Sequence, residues 1–240
     1  MHTGWVDEVV EPYREWGALV PGAEVWTRTA EGGEFRILPD GCMDLLLMDD
    51  TLYVAGPDSR AWTGEAPRGT RYAGIRFAPG AAAAFLGVPA RELLNQRVLL
   101  ADLWSPNRSR RLADRIRLAA HPATALDQEV ANLVEAPPDR LISQVLRSVR
   151  GGLLRGSAGV SRLAGAVDLS ERQLHRRCLD AFGYGPKMLD RVLWMNVALN
   201  HARTGLALAD VATRTGYADQ AHFTRDVKAL TGLPPTLLLN

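Results

Sequence analysis

Two stretches of this chain repeat one another. Residues 160–186, VSRLAGAVDLSERQLHRRCLDAFGYGP, align with residues 208–235, LADVATRTGYADQAHFTRDVKALTGLPP: at an offset of 48, Val160, Leu163 and Ala164 fall on Leu208, Val211 and Ala212. After one extra residue in the turn the offset becomes 49, and Leu174, Arg176, Cys178, Gly183 and Pro186 fall on Phe223, Arg225, Val227, Gly232 and Pro235. Chance does not readily hold such a register, so two copies of one supersecondary unit are expected.

Each copy reads as a short helix, a tight turn and a second helix. In the pairs Leu163-Ala164 and Val211-Ala212 the alanine lets another helix cross closely. Ser170 is a good N-cap with Glu171 at the positive end of the helix dipole; Gly216 makes the second turn and Asp219 caps the helix after it. The second helices end at Gly183 and Gly232, each followed within a few residues by proline. This is the helix-turn-helix arrangement. Helical spacing turns Leu174 and Cys178 inward and Arg172, His175 and Arg176 outward; in the other copy Phe223 and Val227 point in, Gln220, His222 and Arg225 out.

Arginine pairs bidentately with guanine and glutamine with adenine, and the N-terminal half of such a helix reaches base edges in the major groove. For one such side chain alone a solvated charge is the commoner role, but two copies with Arg-bearing outer faces favour DNA. The DNA-contact candidates are Ser170, Arg172, Gln173, His175, Arg176, Gln220, His222, Thr224, Arg225 and Lys228. Between the copies LDRVLWMNVALNHART suits a connecting helix with Leu189, Val192, Leu193 and Val197 as its apolar side. If it holds the second helices about 34 Å apart, one chain can enter successive major grooves.

Whole-chain charge first argues the other way. The 28 Lys+Arg and 27 Asp+Glu leave a net of +1, whereas phosphate binding rests on a basic excess. Taken by parts, residues 1–140 hold 15 Arg, no Lys and 20 acidic residues, a net of −5, and residues 141–240 hold 13 basic against 7 acidic residues, a net of +6. That asymmetry fits a basic reader attached to an acidic domain. At 47% hydrophobic and 23% charged residues the chain buries a core. Cys42 and Cys178 lack CxxC spacing, which argues against a disulfide framework or a cysteine zinc site and favours a reducing cytoplasm. The start, MHTGWVDEVVEPYREW, lacks a secretory pattern and no apolar run is long enough for a membrane span, so a cytoplasmic protein without a membrane partner is expected.

From Val25 to Phe77, VWTRT, EFRIL, MDLLLM, LYVAG and RYAGIRF are strand-length runs separated by turn signals, among them Pro39-Asp40-Gly41. Short helices follow: Pro79-Gly80 leads into AAAAFLG and Pro89 opens ARELLNQ. Residues 108–135 read as two helices around His121-Pro122, and their Leu112, Ile116 and Ala119 face either packs on its own domain or serves as a dimer helix. Ala136-Pro137-Pro138-Asp139 is the boundary, with Asp139 capping DRLISQVLRSVR. The expected class is α+β: an antiparallel β-rich effector or dimerisation domain over 1–106, a helical connector over 107–138, and an all-α domain with two helix-turn-helix motifs over 139–240.

His2 and His121 are the histidines of the N-terminal part and neither lies in a strand, so no metal or cofactor is expected there. Asp40, Cys42 and Asp44 cluster on PDGCMD without an HExxH, GxSxG or P-loop pattern, and Cys42 fits a small buried residue better than a nucleophile. No catalytic residue is assigned and no enzyme is expected. Trp5, Trp16, Trp26, Trp62 and Trp104 each fit core packing, although Trp beside polar groups can line a ligand pocket. Trp26, Cys42, Asp44, Trp62 and Arg76 are the candidates for an effector pocket.

The run LAGAVDLSERQLHRRCLDAFGYGP, then Arg191 opening a helix, then LADVATRTGYADQAHFTRDVKALTGLPP, resembles the DNA-binding domain of AraC/XylS-type transcription regulators from near Asp139 to the end; ADVA, GYADQAHFTR and K-x-x-T-G-x-P-P carry the more specific part. The resemblance implies double-stranded DNA as a partner, with contacts at Arg172, His175 and Arg176 and at Gln220, His222 and Arg225, and RNA polymerase as a partner of an activator. Val227 stands where the family usually has an aromatic residue, and Thr236-Leu237-Leu238-Leu239 replaces a Tyr-Arg pair, which removes a phosphate contact. ILPDGCMDLL and GIRFAPGAAAAFLGVPA resemble, less specifically, a sensory domain found before this DNA-binding domain in some bacterial regulators, a β-rich, cupin-like fold. That implies effector sensing or homodimerisation and names no effector. The expected protein is a one-component transcription regulator whose ligand biases a pre-existing equilibrium. Its rivals are a small-molecule-processing enzyme domain fused to a helical regulatory module, and a DNA-binding partner of another protein with no ligand.

Overall fold

The computed structural model describes residues 13–134 and 137–239; His2, Trp5 and Ala136 lie outside them. The N-terminal part is an antiparallel β structure. Its strands are β1 (Tyr13–Gly17), β2 (Glu24–Thr29), β3 (Gly33–Ile37), β4 (Met43–Met48), β5 (Thr51–Ala55), β6 (Trp62–Ala66), β7 (Arg71–Phe77) and β8 (Arg97–Leu99). Six of them form one sheet in the order β1-β2-β7-β4-β5-β8, and β3 pairs with β6 in a separate ribbon. The five runs read as strands from the sequence become β2, β3, β4, β5 and β7. The other three carry little apolar signal: β1 is exposed throughout, β6 reads WTGEA, and β8 is three residues long.

The two faces of the large sheet do different work. Along β4, Met43, Leu45 and Leu47 are buried while Asp44, Leu46 and Met48 on the opposite face are half-buried, the alternation that a period of two imposes. Leu45 pairs in register with Ile75 of β7, which pairs with Val25 of β2, so these side chains share the buried face. Over that face lie α1 (Ala82–Leu86), a 3-10 turn (Ala90–Leu93), α2 (Leu100–Leu103), α3 (Pro106–Arg117) and α4 (Pro122–Leu133). Leu112, Ile116, Leu126 and Val130 join the same core as Leu45 and Phe77, each contributing roughly 1.5–3 kcal/mol by burial. The helices read as a connector therefore close the sheet domain. The Leu112–Ile116 stripe is spent inside the molecule and is not open to a dimer partner. Asp127 of α4 fixes the cover by accepting the Leu19 backbone N–H at 2.9 Å.

The C-terminal part is helical: α5 (Arg140–Arg150), α6 (Gly159–Ala166), α7 (Glu171–Phe182), α8 (Pro186–Arg203), α9 (Leu208–Thr215), α10 (Gln220–Thr231) and α11 (Pro235–Leu238). Asp139 caps α5 as expected, accepting from the N–H groups of Leu141 and Ile142. Two cores form. Ile142, Val145, Leu163, Leu174, Cys178, Phe182, Leu189 and Val192 build the first, and Met195, Leu199, Val211, Phe223, Val227 and Leu230 the second. Helix α8 serves both, its first half one core and its second half the other. Its apolar stripe must therefore rotate along the helix: Leu189 and Val192 are buried as expected, whereas Val197 is 38% exposed and Met195, Ala198 and Leu199 take the place expected of it. Among the described residues no helix is long and apolar enough to cross a membrane.

Candidate nucleic-acid interface and effector cavity

Helices α6 and α7 form one helix-turn-helix unit and α9 and α10 the other. Burial follows the register read from the repeat, with Leu163 and Ala164 matching Val211 and Ala212, and Leu174 and Cys178 matching Phe223 and Val227. The extra residue is now located. Asp168 (φ 53°) and Gly216 (φ 76°) are the left-handed residues of the two turns, and Ser170 and Asp219 are the N-caps. Between them stands Leu169 in the first copy and Tyr217-Ala218 in the second.

The outer faces carry the expected side chains. Arg172, His175 and Arg176 on α7 and Gln220, His222, Arg225 and Lys228 on α10 are exposed, while Thr224 is half-buried. Some are already engaged. Ser170 and Gln173 form a reciprocal capping box, the Ser170 backbone N–H and Oγ both donating to Gln173 Oε1 at 2.9 and 2.8 Å; this satisfies helix-start donors and leaves only the Gln173 amide nitrogen to face outward. The His222 ring folds back on its own turn, with Nδ1 accepting from the Ala218 N–H and an edge contact to Tyr217. His175 lies over Gly185, where even a Cβ would come within 2.5 Å of its ring. Arg177 is a further exposed cation of α7.

Positioning residues hold these helices. Arg191 of α8 donates through Nε and Nη2 to Asp226 of α10 at 2.9 and 2.7 Å, and the Tyr217 hydroxyl donates to the other Asp226 oxygen at 3.1 Å. Arg155 joins the two units: its guanidinium lies 3.8 Å over the Trp194 ring and donates to the Thr215 carbonyl at 2.8 Å. Val227 is fully buried, and Leu238 and Leu239, in the segment that departs from the family pattern, pack on the second core.

A cavity of about 570 Å³ lies between the large sheet and the β3–β6 ribbon. Trp26, Cys42, Asp44, Trp62 and Arg76, the five residues singled out from the sequence, all line it. Registered pairs set its layers: Arg76 beside Asp44 beside Ala55, then Trp26 beside Gly74 beside Leu46 beside Tyr53, then Arg28 beside Tyr72 beside Met48. Gly74 is required there, because a Cβ would meet the Trp26 indole at 2.4 Å. Phe35 and Ile37 of β3 and Trp62 and Gly64 of β6 form the opposite wall. Tyr53, Tyr72, Phe35, Asp58 and Arg97 were not singled out from sequence. The alternation of MDLLLM and RYAGIRF could have placed Leu46, Met48 and Tyr72 with Asp44 and Arg76; Asp58 and Arg97 enter from a loop and from β8.

The polar end is tightly coupled. Trp26 Nε1 donates to Asp44 Oδ1 at 2.8 Å, and Arg76 Nε lies 3.3 Å from that oxygen and 3.5 Å from Asp40 Oδ2. Arg97 donates to both oxygens of Asp58 and stacks 4.4 Å from the Trp62 ring centre. Burial pushes the Asp44 carboxyl up to about 6, with Asp40 adding to the rise and Arg76, Trp26 and Arg97 opposing it. Burial and the neighbouring Asp40 and Asp44 also hold the Cys42 thiol well above its ordinary range.

This end of the cavity abuts the helical domain. Arg36 donates to the Thr231 carbonyl at 2.7 Å, the Ala61 N–H to the Leu230 carbonyl at 2.7 Å, and Asn196 of α8 to the Pro39 carbonyl at 2.7 Å. The buried Tyr184 hydroxyl, between α7 and α8, lies against Gly41 and has no hydrogen-bond partner among the described residues. Arg91 pairs with Asp180 of α7.

Residues 163–240 match a family described as a helix-turn-helix domain. The C-terminal part is an AraC-type helix-turn-helix domain. With two such units, the protein is a DNA-binding transcription regulator. Residues 23–99 match a domain of unknown function (DUF6597), which spans most of the strands around the cavity. No curated protein sequence matches the chain. Among solved structures it is similar to ToxT from Vibrio cholerae, at 10% identity and a TM-score of 0.48 over 95% of this chain and 98% of that one. ToxT bound to an unsaturated fatty acid is similar at 10% identity and a TM-score of 0.48, over 90% and 94% of the two chains. ToxT bound to (E)-4-(8-methylnaphthalen-1-yl)but-3-enoic acid is similar at 11% identity and 0.46, over 95% and 98%. The AraC-type domain is bonded to the cavity-bearing domain at Arg36, Pro39 and Ala61.

Proposed function

We propose that the AraC-type domain reads DNA through α7 and α10, and that a small molecule in the N-terminal cavity controls the reading. Arg172, His175 and Arg176 in the first unit and Gln220, His222, Thr224, Arg225 and Lys228 in the second supply the contacts; Ser170 and Gln173 position α7. One observation carries the control. The strip 36–42 lines the cavity with Arg36, Ile37, Asp40 and Cys42, and the same strip is bonded to α8 and to the last turn of α10. A ligand that favours one position of this strip biases the placement of both units, which is a coupling free energy between two sites.

The enzyme reading draws no support from the cavity. Among the described residues no histidine lines it, and Cys42 is held as the protonated thiol, a poor nucleophile. A cytoplasmic location, a homodimer and contact with RNA polymerase by an activating form belong to the same proposal.

Genomic fragments selected by the full-length protein supply the test. Wild type is expected to bind them in preference to random DNA. Leu46→Trp, which fills the middle layer of the cavity, is expected to shift operator affinity at least about fivefold, a coupling of about 1 kcal/mol, provided it still unfolds cooperatively; Met48→Trp serves as the second variant. Unchanged affinity in both folded variants rejects control through the cavity and leaves the DNA reading standing. Absence of any preferred fragment rejects the DNA reading.

A further inference from the structure

We infer that Arg155 sets the distance and angle between the two outer helices α7 and α10, and so makes the protein selective for the spacing of its two DNA elements. This rests on the reading of α7 and α10 as the DNA-contacting helices and adds the positioning residue that fixes their separation.

Arg155 stands in the loop between α5 and α6, and that loop belongs to the first unit. Leu154 is buried in the first core, and Gly159 at the start of α6 sits so close to the Leu154 carbonyl that a Cβ would come within 2.1 Å of it. Arg162 of α6 donates to the carbonyls of Leu153 and Arg155. The backbone of Arg155 is thus held by α6, but its side chain leaves the unit. The guanidinium lies 3.8 Å over the Trp194 ring, midway along α8, and donates to the Thr215 carbonyl in the last turn of α9 at 2.8 Å. Among the described residues no other hydrogen bond joins residues 139–185 to residues 206–239.

The surroundings make this bond a strut. The carbonyl end of a helix carries partial negative charge, so a cation placed there gains from the dipole as well as from a charge-assisted hydrogen bond. Stacking on Trp194 holds the planar guanidinium in the plane from which it donates, and Asp190, one turn earlier on α8, attracts the same charge. Gly216 follows Thr215, and a Cβ there would come within 2.4 Å of the guanidinium, so Arg155 touches the turn from which α10 starts. Helix α10 is tied to α8 through Arg191 and Asp226. The second unit is therefore fixed at α10 to the shared helix and at α9 to the first unit. The repeat does not duplicate this role: at the offset of 48 Arg155 falls on Arg203, which bonds to Asn200 of its own helix.

On DNA, one added base pair moves the second element by about 3.4 Å and turns it by about 35°. The 18-residue α8 is a single shaft about 27 Å long. Without Arg155 the second unit can swing about that shaft to follow a displaced element; with it, α10 stays where the native spacing needs it.

The test uses the full-length protein and the genomic fragment that wild type binds most tightly, with the two elements located by footprinting and one base pair added or removed between them. Wild type is expected to lose at least ~10-fold in affinity from either change, the cost of one lost base contact or more. Arg155→Met is expected to bind the native spacing within about fivefold of wild type and to lose less than about threefold from either change, with the salt slope unaltered. Arg155→Lys should behave like the Met variant, because a lysine keeps the charge but neither the stack nor the fork. Trp194→Leu, which removes the face on which Arg155 lies, is the second variant should Arg155→Met fail to unfold cooperatively. Equal losses at all three spacings make Arg155 a source of stability alone and overturn the inference. A salt slope flattened by about one, or full rescue by lysine, makes it a phosphate contact and overturns it too. A single protected element, or wild type as tolerant of spacing as the variants, overturns it while leaving DNA binding in place. Absence of any preferred fragment is the separate result that rejects the DNA reading, and the inference falls with it.

Discussion

The first helix-turn-helix unit leans on the N-terminal domain, and the second leans on its own connecting helix. In the first, Arg91 pairs with Asp180, Pro57 lies against Gly183, and Phe182 packs beside Gly80. In the second, Arg191 and Tyr217 grip Asp226 within the helical domain, and the N-terminal domain reaches it through hydrogen bonds to the carbonyls of Leu230 and Thr231. One fold is thus stabilised by a neighbour in one copy and by an inserted residue in the other. Tyr217, which the extra turn position supplies, packs on Phe223 and bonds to Asp226; Leu169 has no counterpart to that bond. Movements of the N-terminal domain should accordingly reach the first unit by side-chain packing along α7, and the second by two bonds at its last turn and by Leu38, which packs on its core.

The largest expected effect tests whether both units dock at all. With six or more phosphates neutralised, operator affinity should fall roughly a thousandfold or more between 50 and 200 mM salt, measured by fluorescence anisotropy on a selected fragment. Removing one phosphate contact from the second unit alone, in Lys228→Ala, should flatten the slope by about one. A flat response in wild type would sink DNA binding. A slope unaltered in Lys228→Ala would take that side chain out of the electrostatic footprint.

Next in size are the readers themselves. Arg176→Ala and Arg225→Ala should each cost about 1–3 kcal/mol on the selected site if the side chain reads a base. The loss on random DNA is the control, since an equal loss there marks a phosphate contact. If Arg176→Ala is neutral while Arg225→Ala is not, the units differ in reading as well as in support.

Most of this architecture was legible because the informative signals are local. The repeat, its caps and its buried stripes depend on residues three to five apart, and Asp139, Ser170 and Asp219 do what their positions imply. The strands with strong alternation were equally plain. What escaped notice needs long-range contact. Strand β8 forms only because β5 is beside it, β6 exists only against β3, and the Leu112–Ile116 stripe looks the same whether it covers a sheet or a partner. Of the cavity, the residues with polar or aromatic chemistry in strands were found, whereas Asp58 and Arg97 sit 39 positions apart and meet only after the sheet closes. The strip 36–42 could not be seen as a link, because nothing in PDG announces a contact with Asn196.

A third test separates the turns. Gly216 and Asp168 share the left-handed conformation, but a Cβ at Gly216 would also meet the Arg155 guanidinium at 2.4 Å, displacing the group that donates to the Thr215 carbonyl. Gly216→Ala should therefore lower stability by about 2 kcal/mol, the sum of a positive-φ penalty near 1 and a weakened charge-assisted hydrogen bond of similar size, in urea unfolding. If the loss is below about 0.5 kcal/mol, Arg155 moves freely and does not join the units.

The smallest expected effect is the reverse exchange. Asp168 adopts φ 53° without a glycine, a conformation Asp tolerates better than most residues because its short polar side chain can bond locally. Replacing it by glycine removes the steric cost but gives the unfolded chain more freedom to lose, so the two terms oppose each other. Asp168→Gly should fall within about 1 kcal/mol of wild type in the same measurement, and operator affinity should not change, because the position lies before the N-cap and off the outer face of α7. A gain well beyond 1 kcal/mol would show that the first turn is held under strain by the N-terminal domain packed on the far end of α7. The first unit would then be the spring-loaded one, and release of that packing would be the more direct route for a ligand to alter DNA binding.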